Sequence, residues 1–278
     1  MYKKRHCSPR RKNKISCLPE ELLLKIAKIL NSKKKCKINT SCSKKALHLQ
    51  ICKDLNKLTE CKDELCWGDF LKSHLNVDEY EIFTDSFKPP MPLEWNKNPN
   101  SWLSTDDINN VMEQYQNKYP KFKYMGAHPI DFALKKNNQC IGDDLCSLNI
   151  NEMKKDYNSL GMVFNTDPHN EGGEHWFSVY VDMKGNNLPE PTIYYFDSAL
   201  SKPSKEIINL VNKIKKQDPS FDFLFNDIKH QKGDTECGIY CLHFLTEMLK
   251  GKKFQTYIDK RLNDKQMEKY RKKFFIKK

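Results

Sequence analysis

The chain has 278 residues, 38% of them hydrophobic and 11% aromatic, which suits one catalytic domain of ordinary size plus an appendage under a very polar surface. It contains no run of about 18 apolar residues, and no apolar signal region follows the basic start at residues 1–6, so the expectation is a soluble, intracellular protein with no membrane contact. The formal charge of +12 gathers in two arms, Lys3, Lys4, Arg5, Arg10, Arg11, Lys12 and Lys14 at one end and Lys269, Arg271, Lys272, Lys273, Lys277 and Lys278 at the other, which suit DNA phosphates or act as solvated tails.

Residues 1–17 read as a basic flexible arm. The first helix is expected over Leu18–Leu30, with Pro19 at its first helical position, acids in the first turn, and Leu22, Ile26 and Ile29 on one face. A Lys- and Ser-rich loop leads to a second helix over Ala46–Leu58, and Glu64–Leu71 reads as a third. In this order, Leu18-Pro19-x-Glu21-Leu22-Leu23, Ile51-Cys52-Lys53-x-x-Asn56-x-Leu58 and Leu65-Cys66-Trp67 resemble an F-box. The resemblance implies a Skp-type adaptor as partner for residues 18–78. The alternative is a helical bundle, residues 18–86, that serves only for packing.

Lys88-Pro89-Pro90-Met91-Pro92 marks a stiff linker, since proline clusters interrupt both helix and sheet, and the domain boundary is placed there, with residues 87–278 following. Ser104 or Thr105 caps a helix that runs towards Tyr119-Pro120. Gly161–Thr166 reads as a strand leading to Gly172-Gly173. His175–Asp182 and Thr192–Ser198 read as two antiparallel strands joined as a long hairpin. A helix over Ser204–Lys216 and a strand over Phe221–Phe225 precede the polar loop Gln231–Glu236.

Eleven cysteines would suit a disulfide-bonded secreted chain, but nothing indicates secretion, and no disulfide framework is expected. Cys36/Cys42, Cys61/Cys66 and Cys140/Cys146 are spaced too widely for a zinc knuckle, so neither a metal nor a cofactor is expected.

Cys237 sits where the polar loop meets an apolar helix, with Gly238 behind it. The first amides of a helix lack internal partners and favour negative charge, and a thiol there can be nucleophilic near neutrality. Gln231, upstream in the same loop, has a side-chain amide suited to an oxyanion donor. In the antiparallel hairpin, the start of the first strand and the end of the second share one sheet edge, which puts His175 beside Asp197. A thiol, an imidazole and a carboxylate so placed make a nucleophile, a base and an orienting acid.

His175-Trp176, Tyr195-Phe196-Asp197-Ser198 and Gln231-x5-Cys237-Gly238-Ile239-Tyr240, in that order, resemble the ubiquitin-like-protein (SUMO-type) proteases, which share the adenovirus-protease fold. Trp102-Leu103-x-x-Asp106-x-Ile108-Asn109 is similar to their entry helix. Phe164-Asn165-Thr166-Asp167, Val181-Asp182-Met183 and Thr235-Glu236-Cys237-Gly238 resemble the polyprotein-processing proteases of African swine fever virus and related large DNA viruses. That branch carries asparagine where Asp197 stands, and cellular members carry Pro-Asn where Lys232-Gly233 stand.

The resemblance spans about residues 90–278. It implies an α+β fold, a mixed central β-sheet flanked by helices, with the N-terminal helical domain added. It also implies a protein substrate cleaved after Gly-Gly, with Trp102 and Trp176 roofing a tunnel that admits glycines. The expected function is a cysteine endopeptidase that processes viral structural polyproteins in the host cytoplasm and the virion. The alternatives are a protease that deconjugates host ubiquitin-like proteins, which would also allow the nucleus, and a ubiquitin-ligase adaptor.

Overall fold

Residues 6–10, 15–33, 37–137 and 139–277 are described by the structure, a computed structural model. They fall into two units, Met1–Pro90 with Phe275–Lys278, and Met91–Phe274. The division thus lies at Pro90, within the proline linker, and the last four residues return to the first unit.

In the first unit, α1 (Glu20–Ser32) starts after Pro19, which takes the extended N-cap position and not a helical one. It buries Leu22, Leu23, Ile26, Ala27 and Leu30. Ser43 caps α2 (Lys44–Thr59), its side chain accepting from the Ala46 amide. The third expected helix is a short 3₁₀ turn, Leu65–Trp67, running into α3 (Gly68–Lys72). A fourth helix, α4 (Val77–Thr84), was not expected; Asn76 and Glu79 start it as a capping box. Leu18, Leu22, Leu23, Ile51 and Trp67, which carry the F-box resemblance, lie inside this unit's own core.

Cysteine chemistry overturns the expectation of no disulfides. Cys7–Cys17, Cys61–Cys66 and Cys140–Cys146 are bridged, with Cα separations of 5.0, 5.6 and 6.3 Å that a disulfide spans readily. Local turns, not long-range packing, bring each pair together, so sequence spacing alone did not reveal them. Between the first two bridges, buried Glu64 accepts from Ser16 Oγ and from the Cys17 amide (2.9 Å), and lies 2.8 Å from His48 Nε2. Burial pulls the His48 imidazole down, but Cys52 and Glu64 outweigh it and raise it to about 9.

The second unit opens with α5 (Thr105–Lys118), where Ser104 and Asp107 form a capping box. After it come β1 (Phe122–His128), the short hairpin β2 (Lys135–Lys136) and β3 (Gln139–Cys140), α6 (Asp143–Cys146) and α7 (Ile150–Asp156). Then follow β4 (Ser159–Asn165), β5 (Trp176–Asp182), β6 (Thr192–Phe196), α8 (Lys205–Gln217) and β7 (Asp222–Phe225). Three helices close the unit: α9 (Cys237–Met248), α10 (Phe254–Asp259) and α11 (Asp264–Phe274).

The five-stranded sheet has the order β1-β4-β5-β6-β7. Its two outer pairings are parallel and its two inner ones antiparallel, which makes it mixed, as the resemblance implies. Every residue of β4, β5 and β6 is buried, because helices cover both faces. The two-residue period sorts the side chains. Phe177, Val179, Val181, Ile193 and Tyr195 pack with Ile207, Leu210, Val211 and Ile214 of α8. The alternate residues face α9, where Phe196 stacks on Phe244 at 4.9 Å. Helix α9 is buried from Cys237 through Thr246, so it is apolar nearly all round.

One glycine in β4 is there for space. A Cβ at Gly161 would lie 2.7 Å from Cζ of the buried Phe122 ring and 3.5 Å from Leu245. Gly161→Ala is therefore expected to overpack the core by about 1–3 kcal/mol, lowering Tm by roughly 3–10 °C in a thermal melt. Adding Phe122→Leu should recover part of the loss; a Gly161→Ala melt equal to wild type would mean that the ring moves aside freely.

Candidate active site

The β5–β6 register pairs Ser178 with Phe196 and Asp182 with Thr192. His175 immediately precedes β5 and Asp197 immediately follows β6, so both lie at the same sheet edge. His175 Nε2 is 2.8 Å from Asp197 Oδ1. Asp197 is fully buried, whereas the His175 side chain is 17% exposed.

The carboxylate is tightly held. The Ala199 amide donates to Oδ1 (2.7 Å) and the Tyr195 hydroxyl to Oδ2 (3.4 Å). Asn226 clasps the Asp197 backbone, accepting from its amide at 2.9 Å and donating to its carbonyl at 2.8 Å.

Cys237 opens α9 and is the second partner of the His175 ring. With Nε2 committed to Asp197, Nδ1 is the nitrogen left to exchange a proton with the sulfur. Burial pulls the imidazole down, but the hydrogen bonds and charges of Asp197 and Cys237 outweigh it and raise His175 to about 10. Cys241, one turn further on, is wholly buried, and burial pushes its thiol well up, with Cys237 adding to the effect. Both cysteines of this helix are buried, and they differ in that Cys237 acts on the His175 ring.

Gln231 is buried, and its Oε1 accepts from Ser198 Oγ at 2.7 Å. That contact fixes which way the side-chain amide points: its oxygen is occupied, and the NH₂ end is the free donor. The Gln231 amide also donates to the Ser198 carbonyl at 2.8 Å. Ser198, next in sequence to Asp197, thus joins the acid's strand end to the Gln231 loop.

Leu103 lies against the nucleophile's neighbour. A Cβ on Gly238 would meet Leu103 Cδ1 at 3.1 Å and Cβ at 3.2 Å, so glycine allows that close approach. Trp176 is nearly buried, and its indole N–H donates to the Leu103 carbonyl at 3.0 Å. Trp102 is 37% exposed. The two tryptophans expected as a pair thus differ: one is packed and hydrogen-bonded, the other partly open to solvent.

Three residues given no role in the site from the sequence hold the loop between Gln231 and Cys237. Glu236 and Arg271 form a buried forked pair, with Nε 2.9 Å from Oε2 and Nη2 2.8 Å from Oε1. Arg271 also donates to the carbonyls of Thr235 (2.9 Å) and Ser101 (2.8 Å). Asp264 Oδ2 accepts from the amides of Lys232 (3.1 Å) and Gly233 (2.9 Å). Arg271 was expected in a basic arm suited to DNA phosphates or to solvation; its burial in α11 corrects that, whereas Lys269, Lys272, Lys273 and Lys277 are exposed and Lys278 lies outside the described residues. Of the other arm, only Arg10 is exposed among the described residues; Lys3, Lys4, Arg5, Arg11, Lys12 and Lys14 lie outside them.

Comparison with known proteins adds four findings. Residues 96–275 match the family described as YopJ serine/threonine acetyltransferase. A protein bearing a thiol protease name from Acanthamoeba polyphaga mimivirus is 33% identical over 183 residues, covering 63% of this chain and 56% of that protein. The chain thus spans only about half of that relative's length. The SUMO-1 cysteine protease of African swine fever virus (Kenya isolate) is 29% identical over 202 residues, covering 68% of this chain and 71% of that protein. The crystal structure of the African swine fever virus protease superposes with a TM-score of 0.70 at 22% identity, covering 100% of this chain and 98% of that one, which establishes the shared fold.

The raised imidazole gives a signed prediction. Its pairing stabilises the folded chain fully below the unfolded value of 6.5, and the stabilisation is lost as pH climbs through about 10. The Tm difference between wild type and Asp197→Asn should be widest below pH 6.5 and should close near pH 10, in melts across that range. A constant difference would mean that the carboxylate acts through neutral hydrogen bonds instead.

Proposed function

We propose that this chain, which belongs to the YopJ serine/threonine acetyltransferase family, works as a cysteine endopeptidase on protein substrates, with Cys237 as nucleophile, His175 as acid–base and Asp197 as its orienting acid. The observation that supports it most is the His175 ring bonded to Asp197 at the sheet edge, with Cys237 at the start of α9 acting on the same ring. The relatives' protease names agree with it.

The chemistry follows from that placement. The sulfur attacks the substrate carbonyl carbon, and the oxyanion forms near the Cys237 amide and the free amide end of Gln231. The carbon–nitrogen bond breaks as His175 passes its proton to the leaving amine. Water, deprotonated by the same ring, then releases the acyl group from the sulfur.

Cys237 is nearly covered, at 1% exposure, with Leu103 tight on the neighbouring Gly238 and Trp176 bonded to the Leu103 carbonyl. Cover this close favours a segment without side chains, which supports cleavage after Gly-Gly. The viral origin of the relatives supports structural polyproteins as substrates, and with them the host cytoplasm and virion as places of action.

Two partner readings gain less. A Skp-type adaptor on residues 18–78 has little to hold, because the leucines of the F-box-like pattern are used inside the unit. DNA binding rests only on the exposed lysines of the C-terminal arm and on Arg10 among the described residues.

The family description favours a second reading, acyl transfer to a serine or threonine hydroxyl. It begins with the same attack by sulfur on a carbonyl carbon and differs in donor and acceptor. One experiment separates the readings: purified protein is offered Gly-Gly-x peptides, ubiquitin-like conjugates, and acetyl-coenzyme A with a Ser/Thr-rich acceptor. Cleavage that is lost in Cys237→Ala, by about 10⁴–10⁶-fold, and kept in Cys241→Ala supports the protease. Acetylation without cleavage establishes the transferase, and neither reaction overturns both.

The gate has its own test. Trp102→Ala should leave Tm nearly unchanged, since the side chain is partly exposed, and should raise cleavage of Gly-Ala relative to Gly-Gly peptides. Trp176→Ala should cost about 3–5 kcal/mol of stability in addition to any change in preference. An unaltered ranking in Trp102→Ala removes that residue from the gate.

A further inference from the structure

We infer that the C-terminal helix α11 is a splint for the nucleophile loop, and that Arg271, Glu236 and Asp264 are positioning residues for the reaction. This rests on the reading of Cys237 as nucleophile. Asp264 and Arg271 are about two helical turns apart and so share one face of α11. From that face they hold the loop at both ends. Asp264 takes the Lys232 and Gly233 amides next to Gln231, and Arg271 takes Glu236 and the Thr235 carbonyl next to Cys237. The distance between the oxyanion donor and the sulfur is thereby set by a rigid rod and not by the loop itself.

The same guanidinium reaches the other side of the site. It donates to the Ser101 carbonyl at 2.8 Å and the Asn100 carbonyl at 3.3 Å, and lies 4.4 Å from the centre of the Trp95 ring. Asn100 and Ser101 lead directly into Trp102 and Leu103, the segment packed over Gly238. Arg271 therefore fixes the register of the substrate-covering segment against the nucleophile through one planar group. Lysine has the charge but not the fork and cannot make these bonds together.

A merely structural pair would be costly to break but would leave the chemistry of the folded enzyme alone. The test compares wild type, Arg271→Ala and Glu236→Gln in the full chain, well below each measured Tm. It records kcat and KM on a Gly-Gly peptide and the rate of Cys237 alkylation by iodoacetamide, located by mass spectrometry. In Arg271→Ala, kcat should fall at least tenfold with KM changed less than threefold, and added methylguanidinium should restore part of it while methylammonium does not. Glu236→Gln keeps the shape but loses the charged fork, and its kcat should fall at least fivefold.

If Arg271→Ala does not fold, Glu236→Gln decides by its own threshold. A kcat within twofold of wild type in a folded variant, with only Tm lowered, overturns the proposal. If wild type cleaves no peptide, the protease reading fails. The splint is then judged by alkylation, which should change at least threefold in either variant and, if unchanged, overturns it.

Discussion

The antiparallel register of β5 and β6 constrains the whole candidate site. Because Ser178 lies opposite Phe196, the residue before one strand and the residue after the other come to one edge, and these are His175 and Asp197. A slip of one residue would turn Phe177, Val179 and Val181 away from α8 and Tyr180 towards it, so the cores on both faces oppose any slip. The ion pair at the edge is thus positioned by apolar burial elsewhere in the sheet. Helix α9, buried along the same sheet, adds the sulfur to that edge.

This division of labour explains what was legible in the sequence. β5 and β6 alternate clearly and end in residues with distinctive chemistry, so their pairing followed from period and turn signals. The loop-to-helix step at Cys237 was marked by polar residues giving way to apolar ones. β1 was missed because Phe122–His128 mixes a lysine and a glycine into a short strand. Helix α11 was missed for a related reason: its charged surface residues outnumber the three that are buried, Met267, Arg271 and Phe274. Arg271 looks in sequence like its neighbours Lys272 and Lys273, and only the fold brings it to Glu236.

Polar groups that organise the site are mostly held by neighbours that do no chemistry. Ser198 orients Gln231, Asn226 clasps Asp197, and Ala199 supplies an amide to the carboxylate. Such contacts leave no periodic trace, because each needs only one side chain at one place. Ser198 had a faint signal, its position directly after the acid. Asn226 had none, since its partner follows β6 and it follows β7 itself.

The disulfides bear on how this protein is handled. The six bridged cysteines and the sulfur of Cys237 ask for opposite redox conditions in one solution. Cys66 is exposed and Cys7, Cys140 and Cys146 are half-buried, whereas Cys237 is covered, so a thiol reductant meets the bridges first. A buffer strong enough to rescue an oxidised nucleophile would therefore open the scaffold before reaching it. Loss of activity on storage and loss of structure on reduction would look alike in a rate assay, and only a map of which sulfurs take up label would tell them apart.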